Sequence, residues 1–211
     1  MYRKNKGQMN QLDIFGGASE IAPGLARLLD YVPDFFDEAE SHDLFEKLKS
    51  TIEWKQETLR LYGKQIPTPR LTAWYGDSGV AYKYSGRTFY ALAWTQELLY
   101  IREKLETVTG ALFNSVLLNL YRDGNDSMGW HSDDEPELGT NPVIASVNFG
   151  QERRFDFRSK KDHTEKYNIN LADGSLLLMK GNIQQLWQHQ VAKSAKVKER
   201  RINLTFRVIK K

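Results

Sequence analysis

The sequence has no cysteine, only four histidines and no long apolar run. Without cysteine the chain has no disulfides, no thiolate metal sites and no cysteine nucleophile. No apolar stretch approaches the roughly 20 residues that a membrane-spanning helix needs, and the basic residues 1–7 lack the apolar segment of a signal peptide. We therefore expect a cytoplasmic protein with no membrane partner.

A strong excess of charge is also missing. The formal net charge is +3 and the pI is about 8.9, which is only a weak indication of a nucleic-acid partner. The basic residues concentrate in two segments, Arg153, Arg154, Arg158, Lys160 and Lys161 in one and Lys193, Lys196, Lys198 and Arg200 in the other. These segments are either solvated loops or contacts to phosphate groups.

The 211 residues have the composition of one ordinary globular domain, 40% hydrophobic and 27% charged. Residues 1–24 are polar and rich in Gly and Ala, and we expect them to be a flexible N-terminal segment. Apolar residues recur at helical spacing over residues 37–52. A second helix is predicted from Thr95, as N-cap, to Thr109, with its apolar stripe ending at Val108 and Gly110 at the stop position.

Short apolar or alternating runs separated by turn signals predict strands along much of the remaining chain. Candidate strands are residues 115–121, 143–149, 154–157, 175–179 and 201–209. Two helices packed on many short strands indicate the α+β class, with a sandwich or jelly roll as core. No internal repeat or second domain is evident.

His131 and Asp133 are the most suggestive pair of polar residues. Residues i and i+2 of an extended segment project to the same face, so these two side chains can converge on one ion. A distant His189 would complete a set of two histidines and one carboxylate, which leaves open positions on an octahedral metal and suits non-haem Fe(II) chemistry. A solvated histidine beside an aspartate in a turn is the alternative interpretation of the motif alone.

The C-terminal strand carries two arginines on one face, since the odd positions 201, 203, 205 and 207 are polar and the even positions are apolar. Either this face is solvent-exposed, or Arg201 and Arg207 bind a small dianion from its two ends. A guanidinium group suits the second role because its planar fork grips a carboxylate and keeps its charge. Asn119 and Tyr121 likewise share a strand face, where a carboxylate or the backbone would be their partner.

The segments 119–124, 131–135, 144–150, 174–179 and 201–207, together with His189, occur in an order and at a spacing that resembles the AlkB family of dealkylating dioxygenases. The resemblance covers roughly residues 55–209, and the branch that acts on duplex DNA is the nearest match. It implies a single Fe(II)/2-oxoglutarate dioxygenase domain over residues 25–211. Within it, residues 111–209 would form a double-stranded β-helix (jelly-roll) core, and residues 55–110 would include a nucleotide-recognition lid.

The resemblance also implies the site residues and cofactors. Fe(II) would be held by the catalytic set His131, Asp133 and His189. The co-substrate 2-oxoglutarate would be bound by Arg201 and Tyr121 at its distal carboxylate and by Arg207 and Asn119 at its keto-acid end, with Asn203 and Thr205 in support. With O2, the co-substrate would yield succinate and CO2, and the hydroxylated N-alkyl group would leave as an aldehyde.

For the substrate, the resemblance assigns Tyr82, Tyr84 and Ser85 to the base pocket and Asp134 and Glu135 to an acidic pair beside the flipped base. Tyr62 would be the tip of a finger that wedges into the duplex. The implied partner is alkylated DNA, with lesions of the 1-methyladenine and 3-methylcytosine type, and the chain is expected to be a monomer.

Four alternatives remain open from the sequence. They are an RNA demethylase, a 2-oxoglutarate hydroxylase of a non-nucleic substrate, a zinc hydrolase that uses the same three ligands, and a non-catalytic jelly-roll binding module.

Overall fold

The structure, a computed structural model, describes residues 23–61, 64–84 and 87–210. Its helices are α1 (Pro23–Ala26), α2 (Glu38–Thr51), α3 (Gln96–Thr109) and α4 (Ile183–Leu186), with a 3₁₀ turn at Pro136–Leu138. The strands are β1 (Leu29–Val32), β2 (Thr58–Leu61), β3 (Lys64–Pro67), β4 (Leu71–Gly76), β5 (Ala81–Tyr84), β6 (Arg87–Tyr90), β7 (Ser115–Tyr121), β8 (Met128–His131), β9 (Ile144–Gly150), β10 (Arg153–Ser159), β11 (Lys166–Leu171), β12 (Ser175–Met179), β13 (Trp187–Val191) and β14 (Arg201–Arg207).

Side-chain caps set the ends of the two long helices. The Asp37 side chain accepts from the Glu40 amide at the start of α2, and Thr95 does the same for Leu98 at the start of α3. Gly110 ends α3 with φ at 68°, a conformation that glycine adopts without a steric cost. Both predicted helices are therefore confirmed, although Val108 is 45% exposed and does not belong to the buried stripe.

Six strands form one antiparallel sheet in the order β1-β12-β9-β14-β7-β4, which is called the major sheet below. The strands predicted at 115–121 and 175–179 are observed with those bounds, and those predicted at 143–149 and 201–209 are observed with shifted ends. β14 lies in the middle, paired with β7 on one side and β9 on the other. The strand with two arginines is thus at the centre of the sheet.

Four strands form a second antiparallel sheet, the minor sheet, in the order β11-β10-β13-β8. Of these strands only β10 was predicted, as residues 154–157. It pairs with β13 from Asp156 to Ser159, which places Phe157 opposite His189. The two sheets and the helices packed on them confirm the predicted α+β class with a jelly-roll core.

The core has two parts, one on each face of the major sheet. The even residues of β14, Ile202, Leu204 and Phe206, pack with α2 and α3 in the first part. The second part lies between the sheets and contains Tyr121, Phe157 and Trp187. Both faces of β14 are therefore buried, and a solvent-exposed face, one of the two explanations for its arginines, is excluded.

Residues 55–110, expected to include a lid, contain elements of two kinds. The hairpins β2–β3 and β5–β6 pair only within themselves among the described residues, whereas β4 is an edge strand of the major sheet. Residues 23 and 24 of the predicted flexible segment begin α1, and residues 1–22 lie outside the described ranges. No helix of the described chain is long and apolar enough to cross a membrane.

Candidate active site

His131, Asp133 and His189 meet at the edge of the minor sheet. β8 and β13 are paired there, and their register places His131 opposite His189, with ring centroids 4.2 Å apart. Asp133 follows two residues after His131, and one ligand atom from each of the three side chains lies within 4.8 Å of the others. The structure thus brings together three residues that are up to 58 positions apart in the sequence.

The protonation of the two histidines suits metal binding. The Nδ1 atom of His131 lies 2.8 Å from the carbonyl oxygen of Gly129, which can only accept, so Nδ1 carries the proton and Nε2 is free to bind a metal. Burial and the nearby His131, opposed by Asp133, lower the pKa of His189 from 6.5 to about 3. The His189 imidazole is therefore a neutral donor at physiological pH, and the tautomer of His131 leaves its Nε2 atom available to a metal.

Asp133 is buried and ionised. Burial alone would raise the pKa of its carboxyl group, but the positive charge of Arg207 holds it below the usual value. The Arg207 Nη2 atom lies 2.7 Å from Asp133 Oδ1. The backbone amide of Asp133 donates to Oε1 of Gln184, a 2% exposed side chain on α4. Arg207 therefore stabilises the negative charge of Asp133, and Gln184 holds the backbone of this residue in place.

A cavity of about 130 Å³ opens beside these three residues, between the two sheets. Its polar lining includes all three candidate ligands and most of the predicted co-substrate residues: Asn119, Tyr121, Asn203, Thr205 and Arg207. Arg70, which the sequence interpretation did not include, also lines it. A small polar molecule in this cavity would contact the candidate metal site directly.

Arg201 lies behind Tyr121, with its Cζ atom 5.1 Å from the ring centroid. The side chain is 1% exposed and donates from Nη2 to Asn148 Oδ1 at 2.5 Å. Its Nε and Nη1 atoms, and Nε of Arg207, are buried without a hydrogen-bond partner among the described residues. Arg201 does not itself border the cavity, whereas Tyr121, over whose ring its guanidinium group lies, does.

The burial of Arg201 has an electrostatic cost. Burial lowers the pKa of its guanidinium group to about 10, against the opposing effect of Tyr121, so the group stays charged at neutral pH. A buried cation with free N–H groups requires an anion. A carboxylate fits this requirement, since a guanidinium fork and a carboxylate form two parallel hydrogen bonds.

The remaining polar residues of β7 and β14 form a network that fixes their side chains. Asn203 Nδ2 donates to Ser146 Oγ at 2.9 Å, and Thr205 Oγ1 donates to Asn203 Oδ1 at 3.2 Å. Asn119 Oδ1 accepts from Arg70 Nε at 2.8 Å. These hydrogen bonds hold the side chains of Asn203 and Thr205 in place beside the cavity. Their roles in binding a co-substrate stay predictions.

A second cavity of about 460 Å³ adjoins the first and shares Leu117, Glu135 and Arg207 with it. Its walls are mostly apolar and include Ala73, Trp74, Tyr90, Leu92, Leu138 and Ile209. Four carboxylates, Glu53, Glu57, Glu135 and Glu137, border it as well. Two basic side chains, Lys55 and Arg207, line it too, and it adjoins the cavity that the candidate metal ligands border.

Of the predicted substrate residues that the structure describes, only some line the cavities. Both acidic residues are exposed; Glu135 lines both cavities, whereas Asp134 forms an ion pair with Lys160 at 2.9 Å. Tyr82 and Tyr84 lie on β5, but their side chains, like all of Tyr62 and Ser85, lie outside the described residues. The four aromatic and serine assignments stay predictions.

Arg153 and Gln184 are two site-supporting residues that the sequence interpretation missed. Arg153 was assigned to a basic segment, either solvated or in contact with phosphate, yet it begins β10 and is 2% exposed, so neither interpretation holds for it. No sequence pattern marks Gln184, because its contact with Asp133 forms only in the folded chain. A buried arginine could have been suspected from Phe155 and Phe157 at alternate positions after Arg153.

Residues 29–207 match the model of the 2OG-Fe(II) oxygenase superfamily. Alpha-ketoglutarate-dependent dioxygenase alkB homolog 3 of Rattus norvegicus is 43% identical over 195 residues, which is 88% of this chain and 65% of the rat protein. DNA oxidative demethylase ALKBH2 of Homo sapiens is 39% identical over 184 residues, covering 82% of this chain and 70% of the human protein. The chain thus spans about two thirds of the length of these curated relatives.

A solved structure of OsALKBH1 superposes with a TM-score of 0.57 at 16% identity, covering 85% of this chain and 97% of that one. At this identity the likeness concerns the fold alone. It agrees with the two-sheet architecture described above.

Proposed function

The chain belongs to the AlkB family within the 2OG-Fe(II) oxygenase superfamily, and on this premise we propose that it is an oxidative demethylase of N-alkylated bases in DNA. Its substrates are of the 1-methyladenine and 3-methylcytosine type, and its task is direct repair of alkylation damage. The observation that carries the proposal is the buried guanidinium group of Arg201, whose free N–H groups lie behind a cavity bordered by His131, Asp133 and His189.

The residues present fit both an iron ion and a keto-diacid. Two imidazoles and one ionised carboxylate form the donor set that non-haem Fe(II) oxygenases use, and no thiolate is available to favour a softer ion. Arg201 and Tyr121 would hold the distal carboxylate of 2-oxoglutarate, and Arg207 and Asn119 its keto-acid end. Fe(II), when bound, supplies the chemistry that couples oxidation of 2-oxoglutarate by O2 to hydroxylation of the N-alkyl carbon.

The chain's own residues prepare this reaction before any ligand arrives. Arg207 keeps Asp133 ionised, and the amide contact with Gln184 fixes its backbone. The Gly129 carbonyl fixes the His131 tautomer, so that Nε2 would be the lone-pair donor to the ion. These contacts orient the donors in advance, which reduces the reorganisation that metal binding requires.

The substrate assignment rests on the larger cavity. Its apolar walls exclude water from an extruded base, and its carboxylates attract a base that alkylation has made cationic. After hydroxylation, the C–N bond breaks, formaldehyde leaves, and the ring nitrogen is left without its methyl group. The unmodified base no longer carries the positive charge that Glu135 favours, so its release follows.

A panel of oligonucleotides tests the proposal. Formaldehyde and succinate would be measured with single-stranded and duplex DNA and with RNA, each with 1-methyladenine, 3-methylcytosine or no lesion. Equal amounts of both products from methylated DNA are expected, with no formaldehyde from unmodified strands. Stimulation by methylated RNA alone would reassign the substrate, and stimulation by none of them would leave a hydroxylase of a non-nucleic substrate.

A zinc hydrolase with the same three ligands is distinguished by a further control. Such an enzyme would work without oxygen and without 2-oxoglutarate, and it leaves the buried Arg201 without a role. Activity that persists under argon without the co-substrate would therefore contradict the proposed chemistry.

A further inference from the structure

The loop of residues 122–127 joins the strand that carries Tyr121 to the strand that carries His131, and it is tied together internally. Arg122 donates to Asp126 from Nε and Nη2, both at 2.8 Å, and from its backbone amide at 2.9 Å. Asp126 is 4% exposed. Burial would raise the pKa of this carboxyl group, but the hydrogen bonds from Arg122 outweigh the effect and keep it ionised. The loop is thus a closed unit.

The buried side chain of Arg153 is hydrogen-bonded to this loop. Its guanidinium group donates to the carbonyl oxygens of Asp123 at 3.2 Å, Asp126 at 3.0 Å and Ala192 at 2.7 Å. The first two carbonyls belong to the loop, and the third follows β13, the strand of His189. One buried side chain on β10 therefore connects the segments that follow two site-bearing strands.

Two guanidinium groups lie over the ring of Tyr121. The Cζ atom of Arg153 is 5.6 Å from its ring centroid, and that of Arg201 is 5.1 Å from the same centroid. Tyr121 is 3% exposed and pairs with Arg201 in the register of β7 and β14. A cation near an aromatic ring is attracted to its face, so Arg153 contributes to fixing the ring as well as the loop that follows it.

A buried arginine that donates to backbone carbonyls is costly to maintain, because its charge has lost its hydration. Burial lowers the pKa of Arg153 below the usual arginine value. A purely apolar side chain would fill the space at lower cost, but it would remove one donor from each of these three carbonyl groups, of which that of Asp123 also accepts from the Asp126 amide at 3.3 Å, and it would leave Tyr121 without its second guanidinium neighbour. The cost of burying Arg153 is explained if the function of the site depends on the position of the Tyr121 ring.

We propose that Arg153 is a positioning residue for the co-substrate: through the 122–127 loop and the Tyr121 ring, it places the Tyr121 phenol beside Arg201 so that both bind the distal carboxylate of 2-oxoglutarate. The inference rests on the proposed function, which assigns that carboxylate to Tyr121 and Arg201. Arg153 itself does not border the cavity and touches no reacting group.

Ligand binding to the full chain loaded with Mn(II) under argon tests this role. Arg153→Met is compared with Arg154→Met, which removes the neighbouring arginine, a side chain that is 66% exposed. Two probes are titrated by calorimetry: 2-oxoglutarate, and 2-oxopentanoate, which has a methyl group in place of the distal carboxylate. Arg153→Met is expected to raise the Kd of 2-oxoglutarate about 10-fold, the size usual for supporting residues, and to change that of 2-oxopentanoate less than about twofold.

Two results would overturn the inference. Wild-type affinity for 2-oxoglutarate in Arg153→Met would show that Tyr121 is placed without it, and equal weakening of both probes would show a general structural role. The Arg154→Met variant should bind both probes as the wild type does. If the wild type binds no 2-oxoglutarate, the proposed function itself falls and this inference with it.

Two further variants keep the test decisive. Should Arg153→Met fail to fold by circular dichroism, Arg153→Lys, which keeps the charge but reaches fewer carbonyls, is expected to weaken 2-oxoglutarate binding about threefold. Unchanged affinity there would refute the role. In a Tyr121→Phe background the effect of either substitution should largely vanish, because the phenol that Arg153 positions is gone; full additivity would contradict the mechanism.

Discussion

At the scale of single residues, the site is defined by charges that are buried and only partly paired. Asp133 has its partner in Arg207, whereas Arg201 keeps two N–H groups without an acceptor among the described residues. Such groups are rare in folded proteins because each one costs free energy. Their position behind the cavity indicates where a ligand anion completes the structure.

Removal of a candidate ligand should separate metal binding from folding. We expect His131→Ala to lower the affinity for Mn(II) by at least about 100-fold, since a direct donor is lost, while the melting temperature stays within a few degrees because this side chain is only half-buried. Equilibrium dialysis against Mn(II) and thermal denaturation measure the two effects. His163→Ala, which removes an exposed histidine, is the control, and wild-type metal affinity in His131→Ala would refute the assignment.

Replacement of Arg201 should have opposite effects on the free and bound protein. Without a ligand, Arg201→Met loses an incompletely paired buried cation and should be no less stable than the wild type. The Kd of 2-oxoglutarate should rise about 100-fold, because a charge-assisted pair contributes roughly 1.5–3 kcal/mol.

Thermal shifts measure both effects of that replacement. Excess 2-oxoglutarate raises the melting temperature of the wild type and of the exposed control Arg200→Met. An equal rise in Arg201→Met would contradict the role of this residue.

The buried His189 makes the stability of the metal-free protein depend on pH. Its pKa is about 3 in the fold and 6.5 when unfolded, so on acidification the unfolded chain takes up the proton first. The stability that it contributes is complete above pH 6.5 and is lost progressively toward pH 3, by at most about 1.4 kcal/mol per pH unit. Asp133, with a pKa held below 3.8, contributes nothing to this change above pH 5.

Urea unfolding of EDTA-treated protein at pH 7 and pH 5 checks this dependence. The wild type should lose more stability between the two values than His189→Gln, which has no proton to take up. The same loss in both proteins would show that the titrating group lies elsewhere.

At the scale of elements, the alternation of apolar and polar residues is the most informative signal in the sequence, although it does not predict every strand. β7, β12 and β14 were predicted because their alternation or apolar runs are long. β11 and β13 also alternate, with Ile169 and Leu171 or Trp187, His189 and Val191 buried, but polar residues between them concealed the pattern. The pairing of His131 with His189 could not be read from the sequence, since it depends on the register between β8 and β13.

The supporting residues were the least predictable part of the site. Arg153 and Gln184 act on loops and on backbone groups that come close only in the folded chain. Their sequence neighbours, Arg154 and Gln185, are the same residue types and are exposed, so residue type alone could not distinguish them.

The 122–127 loop offers a test at this scale. A Cβ atom on Gly124 would lie 1.8 Å from the carbonyl oxygen of Ser194 and 2.8 Å from that of Val197, both backbone atoms. Gly124→Ala should therefore destabilise the protein by about 1–3 kcal/mol, measured by urea unfolding. In Gly129→Ala the new methyl group meets no atom within 4 Å, so this variant should be close to wild type, and equal stability of the two would refute the close packing.

At the scale of the whole molecule, each of the two sheets carries a different set of site residues. The major sheet carries the residues proposed to bind 2-oxoglutarate, on β7 and β14, and the edge of the minor sheet carries the two histidines, on β8 and β13. The two cavities meet at Leu117, Glu135 and Arg207, so a group in the larger one can approach the candidate metal ligands. In the proposed function the co-substrate would occupy the smaller cavity and the alkylated base the larger one.

Crystals of the protein grown without oxygen in the presence of Mn(II) and 2-oxoglutarate test the central claim most directly. We expect one metal ion bound by His131, Asp133 and His189, and one carboxylate of the ligand against Nε and Nη1 of Arg201. A metal ion bound elsewhere, or a ligand whose carboxylates both leave Arg201 without an acceptor, would contradict it.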